Sequence, residues 1–134
     1  MSNCESLDTC IIIRLIIGDD PLSTRKIYNL LSNSPETNFY LDDAAIIEAV
    51  YVLATVYHLT RQEIADSIEQ IFKPLQIIGN YDLFAKIFPF YVEHPALSFN
   101  DCYLSMKSSD LCVKPLWTLD QKLANQSPNA KMFS

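Results

Sequence analysis

Short apolar blocks alternate with polar turns along the whole chain, and their spacing switches between strand-like and helical. Residues 5–9 read as a very short strand. The apolar stretch 10–17 follows and ends at Gly18, a residue suited to closing a helix in the left-handed conformation. Asp20 has the form of an N-cap with Pro21 at the first helical position, which predicts a helix to about Leu31 with Leu22, Ile27, Leu30 and Leu31 available to the core. A turn at 33–36 leads into a short buried strand at 39–41, after which Asp42 or Asp43 caps a helix over 44–57.

Thr60 with Glu63 three residues later makes a capping box, and Ile64, Ile68, Ile71 and Phe72 follow at helical spacing up to Pro74. Residues 75–78 read as a buried strand. Residues 81–91 read as a helix turning Leu83, Ile87 and Phe90 inward, with Pro89 in its last turn. Ser98 and Asp101 cap a helix to about Met106, and 115–119, 120–124 and 130–133 complete the pattern as a strand, a helical turn and an edge strand. Strands alternating with helices predict an α/β chain whose parallel sheet is covered on both faces. No repeat or linker interrupts it, and 134 residues suit one domain over 1–134.

Composition narrows the function. A hydrophobic share of 49% with 19% charge describes a globule and not a disordered chain. The apolar run at 11–13 is broken by Arg14, far short of the roughly 18 residues of a membrane span, and residues 1–9 lack the basic start of a signal peptide, so a cytoplasmic protein is expected. Two glycines, Gly18 and Gly79, cannot write a Walker loop or a dinucleotide fingerprint. Cysteines at 4, 10, 102 and 112 contain no CxxC, and His58 and His94 lie far apart, which excludes the usual zinc patterns. These cysteines read as reduced thiols acting as small hydrophobes, and His58 as a cation near a helix end. A net charge of −6 argues against a simple electrostatic nucleic-acid binder unless the acids gather around cations.

Four acids call for explanation. With the first strand taken as residues 5–7, Asp8 and Asp120 directly follow the strands at 5–7 and 115–119, at the carboxyl edge where open α/β sheets hold ligands. Glu48 lies in a helix that is apolar all round, so burial is expected, and a buried Glu is paired or holds a metal. Asp101 falls in the first turn of its helix. Singly, each also reads as an N-cap, a solvated acid or, for Glu48, a partner of Arg14. Together, four hard oxygen donors with no rival His or Cys set suit one or two Mg²⁺ or Mn²⁺ ions, which clamp a phosphodiester and activate water. Glu48 is expected to lie near Asp8 and Asp101, with Asp42 or Asp43 close to it. Asp19, Asp20 and Asp82 read as caps or turn acids. Phe84, Phe88, Phe90 and Tyr91 read as core or dimer face, and exposed apolar surface is expected on the helices at 60–73 and 81–91.

The series Leu7, Asp8, Thr9, then Arg14 and Leu15 with Gly-Asp-Asp-Pro at 18–21, then Ile47, Glu48, Ala49, Val50, Tyr51, then Phe99, Asn100, Asp101, then Trp117, Thr118, Leu119, Asp120 resembles the PIN-domain family, most closely its VapC-type toxins. The likeness runs in order over nearly the whole chain. It implies a three-layer α/β/α sandwich with a central, mainly parallel sheet. The implied activity is Mg²⁺- or Mn²⁺-dependent endoribonuclease cleavage of single-stranded RNA, by the toxin of a toxin–antitoxin pair. A cognate antitoxin and a homodimer are the implied partners. The resemblance places Asp8, Glu48, Asp101 and Asp120 in the acidic quartet that binds metal and catalyses, with Thr9 and Thr118 beside the ligands. Three features depart from the pattern: Cys10 stands where Asn is usual, the first strand is polar at Asn3, Cys4, Glu5 and Ser6, and few basic residues lie near the expected groove beyond Arg14, Lys107 and Lys122. Two other readings stay open: a PIN-like module that binds RNA or a partner without cutting, suggested by Cys10 and the acidic surface, and a phosphoacceptor receiver domain. The latter lacks its acid directly after the third strand, where Gly79 and Asn80 stand.

Overall fold

Helix N-caps set much of the architecture. The computed structural model describes residues 3–18 and 21–133, apart from the side chains at 21 and 23. It divides into two compact units, Met1–Tyr81 and Asp82–Ser134. In the first, strand β1 (Asn3–Leu7) leads to helices α1 (Thr9–Ile17) and α2 (Pro21–Asn33), then β2 (Thr37–Leu41), α3 (Asp43–Thr55), α4 (Arg61–Ile71) and β3 (Ile77–Gly79). Asp8, Asp42 and Thr60 are the N-caps of α1, α3 and α4, each in extended conformation and each accepting a backbone N–H of the first turn. The expected cap at Asp20, like the turn acid Asp19, lies outside the described residues. Gly18 closes α1 at φ 60°, as its place after the apolar stretch predicts. The capping box of α4 is complete: the Thr60 hydroxyl accepts from the Glu63 N–H, and the Glu63 carboxylate accepts from the Thr60 N–H. The Thr60 N–H, and after it the Thr60 hydroxyl, favour the ionised Glu63 carboxylate and lower its pKa from the ordinary value.

The three strands form a parallel sheet in the order β1-β2-β3, with Leu7, Leu41 and Gly79 level with one another at its carboxyl end. Two helices separate each pair of consecutive strands, as parallel pairing requires of its connections. β2 is central and alternates: Thr37, Phe39 and Leu41 are buried, whereas Tyr40 is exposed. Ile78, register partner of Tyr40, is exposed as well, so burial on both faces does not hold there. β1 is an edge strand exposed at residues 3–6, which is why Glu5 is tolerated in it. The core of this unit gathers Ile12, Phe39, Leu41, Ile46, Ala49, Val50, Leu53, Ile64 and Ile68, with α1 packed on α2, α3 and α4.

Two expectations are corrected here. Among the described side chains of α2 only Leu31 is buried, while Leu22 and Leu30 are exposed, because that helix packs chiefly on α1 and a single neighbour covers one narrow stripe. The third strand begins at Ile77, and Leu75 is almost fully exposed in the turn after Pro74. His58, two residues beyond the C-cap Val56, adopts φ 57° where the chain turns from α3 to α4.

In the second unit, α5 (Tyr81–Glu93) runs into α6 (Phe99–Asp110), β4 (Leu116–Thr118), α7 (Gln121–Gln126) and β5 (Ala130–Met132). β4 and β5 pair in parallel as a two-stranded sheet of their own, so the strands are distributed over two sheets. Phe84, Phe88 and Tyr91 are core, packed around Phe99, with Phe88 and Phe99 ring centroids 5.0 Å apart. The buried hydroxyls of Ser105 and Ser127 hydrogen-bond each other, tying α6 to the end of α7. The exposed apolar surface is not concentrated on α4 and α5 as expected. Ile64 and Ile68 of α4 and Leu83, Phe84, Ile87 and Phe88 of α5 turn inward while Tyr81 is exposed, and the other large exposed side chains are spread along the chain, among them Leu22, Tyr51, Leu75, Leu104, Leu111, Trp117 and Phe133. Among the cysteines only Cys102 is a buried small hydrophobe; Cys4, Cys10 and Cys112 are exposed. No helix among the described residues is long and apolar enough to cross a membrane.

Candidate functional site

The level ends of the strands decide what meets at the sheet edge. Because Leu7 and Leu41 are register partners, Asp8 and Asp42 leave adjacent strands at the same height and cap the helices that follow. Asp8 uses Oδ1 to accept from the Thr9 N–H at 2.7 Å, and Asp42 uses Oδ1 to accept from the Ala44 N–H at 2.9 Å. Helix α3 starts at this edge and places Glu48, in its second turn, beside it. An open pocket of about 420 Å³ results, lined by Ser6, Leu7, Asp8, Thr9, Asp42, Ala44, Ala45 and Glu48.

Thr9 links the two strand-end systems. Its side chain is nearly buried, and its hydroxyl donates to Glu48 Oε2 at 3.1 Å, across 39 residues of sequence. The Asp8 backbone and the Glu48 carboxylate are thereby held to one wall by consecutive residues. Cys10, in the position where the resembling family has Asn, directs its thiol to Asp8 Oδ2 at 3.4 Å. At the neighbouring strand end, Asn80 donates to Asp43 Oδ2 at 3.2 Å.

Glu48 is placed by a different rule from the one its sequence suggests. The helix is not buried all round: Ile46, Ala49, Val50 and Leu53 form its inner stripe, Tyr51 is exposed, and so is Glu48. Its carboxylate therefore faces the pocket with water available, and its partner is the Thr9 hydroxyl. Asp42, read from sequence as a candidate cap and a possible neighbour of Glu48, is a wall of the pocket. Its signal was the cap position after a strand in register with β1.

The other two expected ligands belong to the second unit. Asp101 is half-buried in the first turn of α6, its N–H donating to the Ser98 hydroxyl at 3.1 Å. Asp120 is the exposed N-cap of α7: Oδ1 accepts from the Lys122 N–H, and its own N–H donates to Thr118 Oγ1, both at 2.9 Å. Thr118 thus orients the cap through the backbone and not through the carboxylate. Among the described residues no three His, Cys, Asp or Glu side chains are gathered to hold one metal ion; the pocket brings Asp8 and Glu48 together. That pair suits a hydrated Mg²⁺ or Mn²⁺ ion, because Mg²⁺ is commonly held by one or two carboxylates, with water and substrate phosphate filling its remaining positions.

In comparisons with known proteins, no family model, no curated protein and no solved structure matches the chain.

Proposed function

We propose that the protein is a PIN-like endoribonuclease dependent on Mg²⁺ or Mn²⁺, with a three-layer α/β/α architecture, that cuts single-stranded RNA at the carboxyl edge of β1 and β2. In this reading it is the cytoplasmic toxin of a toxin–antitoxin pair, a homodimer restrained by its antitoxin. The observation that supports the chemistry is the joining of Asp8 and Glu48 on one open pocket through Thr9, whose N–H donates to Asp8 and whose hydroxyl donates to Glu48. Both are hard oxygen donors, and they are the residues that would hold the ion. The resemblance adds Asp101 and Asp120 to the set.

A bound divalent ion supplies charge neutralisation at the phosphodiester and a more acidic water. The chain's own groups do the rest. Asp8 is fixed by its capping bond at Oδ1, and its Oδ2 accepts from the Cys10 thiol. Glu48 is fixed at Oε2 by Thr9, so its other oxygen is the one available to accept a proton from an attacking water. Asp42 adds a third negative charge to the pocket and favours a cation there over a bare phosphate.

Crystals soaked in Mn²⁺ test the assignment. Anomalous difference density is expected in this pocket, within bonding distance of both Asp8 and Glu48. Density only elsewhere, or none at a saturating Mn²⁺ concentration, overturns the metal-centre reading and leaves a module that binds without cutting.

A further inference from the structure

The parallel pair β4–β5 is covered on one face only. Leu116, Thr118, Ala130 and Met132 are half-buried, and the alternate positions Trp117, Leu119, Lys131 and Phe133 are exposed. Trp117 and Lys131 are register partners and so project on the same side, and Phe133, two residues beyond Lys131, returns to it. The three side chains touch. The Trp117 and Phe133 rings meet edge to face at 6.2 Å, and Lys131 Nζ lies 5.4 Å from the centre of the Trp117 ring. Trp117 is 54% exposed and Phe133 63%. Neither ring fills the core of its unit.

Local charge selects the partner. From residue 111 onward the sequence holds Lys114, Lys122 and Lys131 against Asp120 alone, a net of +2 in a chain of −6. Of these lysines Lys131 lies on the aromatic face, and a partner matching exposed rings beside that cation, in a segment of net positive charge, presents flat apolar groups and negative charge together. Single-stranded nucleic acid does this, since its bases stack on aromatic rings while its phosphates meet cations. A duplex hides those base faces. We propose that Trp117, Phe133 and Lys131 form a base-stacking platform for single-stranded nucleic acid, with Lys131 meeting the phosphate backbone. Stacking needs no metal, so the platform stands or falls independently of the carboxylate pocket.

Trp117 is the only tryptophan, so its fluorescence reports on this face alone. The experiment titrates the full chain, in EDTA, with a single-stranded oligouridylate and with an RNA duplex of equal length, at two salt concentrations. Saturable quenching by the single strand and not by the duplex is expected, weakening as salt rises. Phe133→Ala is expected to weaken binding about tenfold, within the range measured for loss of one base stack. Lys131→Ala should weaken it and reduce the salt slope by about 0.7, whereas Lys131→Arg retains both. Equal quenching by the duplex, no quenching at millimolar oligouridylate, or affinities unchanged in both Phe133→Ala and Lys131→Ala overturn the proposal. An emission change that follows protein concentration without RNA, accompanied by dimer in light scattering and unaffected by oligouridylate, also overturns it and assigns the face to a second copy of the chain.

Discussion

Asp8→Asn is expected to leave the metal-free protein as stable as the wild type or slightly more so, and to remove most of its stabilisation by Mn²⁺. The cap survives the change, because the Asn side-chain oxygen accepts from the Thr9 N–H as the carboxylate does, and Asn caps as well as Asp. What disappears is one of three negative charges, those of Asp8, Asp42 and Glu48, on one pocket wall. In the wild type an ion that binds only the folded state adds about 2.7 kcal/mol at a hundredfold excess over its dissociation constant. Heating curves with and without Mn²⁺ measure both effects. An Asp8→Asn protein that is strongly destabilised yet keeps the full Mn²⁺ shift would show that Asp8 is a structural cap and no ligand.

Gly79→Ala is expected to destabilise the fold by about 1–3 kcal/mol, the usual penalty of forcing volume into a packed site. A methyl group there would lie 2.8 Å from the Leu41 carbonyl oxygen and 3.1 Å from the Phe72 ring. The ring can shift, but the carbonyl belongs to central strand β2, whose partner in register is Gly79 itself, and it cannot move without disturbing that pairing. Gly18→Ala is the control. Its added methyl would make ordinary contact with the Thr24 hydroxyl at 3.9 Å, and the left-handed conformation would cost it about 1–2 kcal/mol. Urea midpoints of the two variants separate the mechanisms. A Gly79→Ala midpoint equal to wild type would mean that the level strand ends at Leu41 and Gly79 are not fixed as described.

What could be read from sequence followed the range of each interaction. The caps at Asp42, Thr60, Ser98 and Asp120 were legible, because a cap and its N–H lie two or three residues apart. Burial was not. Leu22, Leu30 and Leu75 are as apolar as Leu31, and only the number of neighbouring elements decides which of them is covered. Glu48 illustrates the same limit: an apolar helix looks buried on every side until its neighbours claim one stripe and leave Tyr51 and Glu48 in water. Strand pairing is longer-ranged still, and the division of the strands into a three-stranded and a two-stranded sheet leaves no local mark.

The candidate site was legible in part for similar reasons. Asp8 at a strand end and Thr9 beside it are local features, and the meeting of Thr9 with Glu48 follows once α3 starts at the neighbouring strand end. Asp42 gains its place from the register of Leu7 with Leu41, a fact about pairing. The Trp117 face went unnoticed because residues 116–119 and 130–133 are mostly apolar at odd and even positions alike, so alternation could not tell the covered face from the open one.

The most direct measurement is cleavage of an end-labelled single-stranded RNA by the purified wild type, Asp8→Asn and Glu48→Gln proteins, each in Mn²⁺ and in EDTA. The account predicts internal cuts by the wild type in Mn²⁺ only. It predicts rates lower by more than about a hundredfold in both variants, beyond the loss expected when only a partner of a ligand is removed. Cleavage that persists in EDTA, or that proceeds at the wild-type rate in both folded variants, would contradict it.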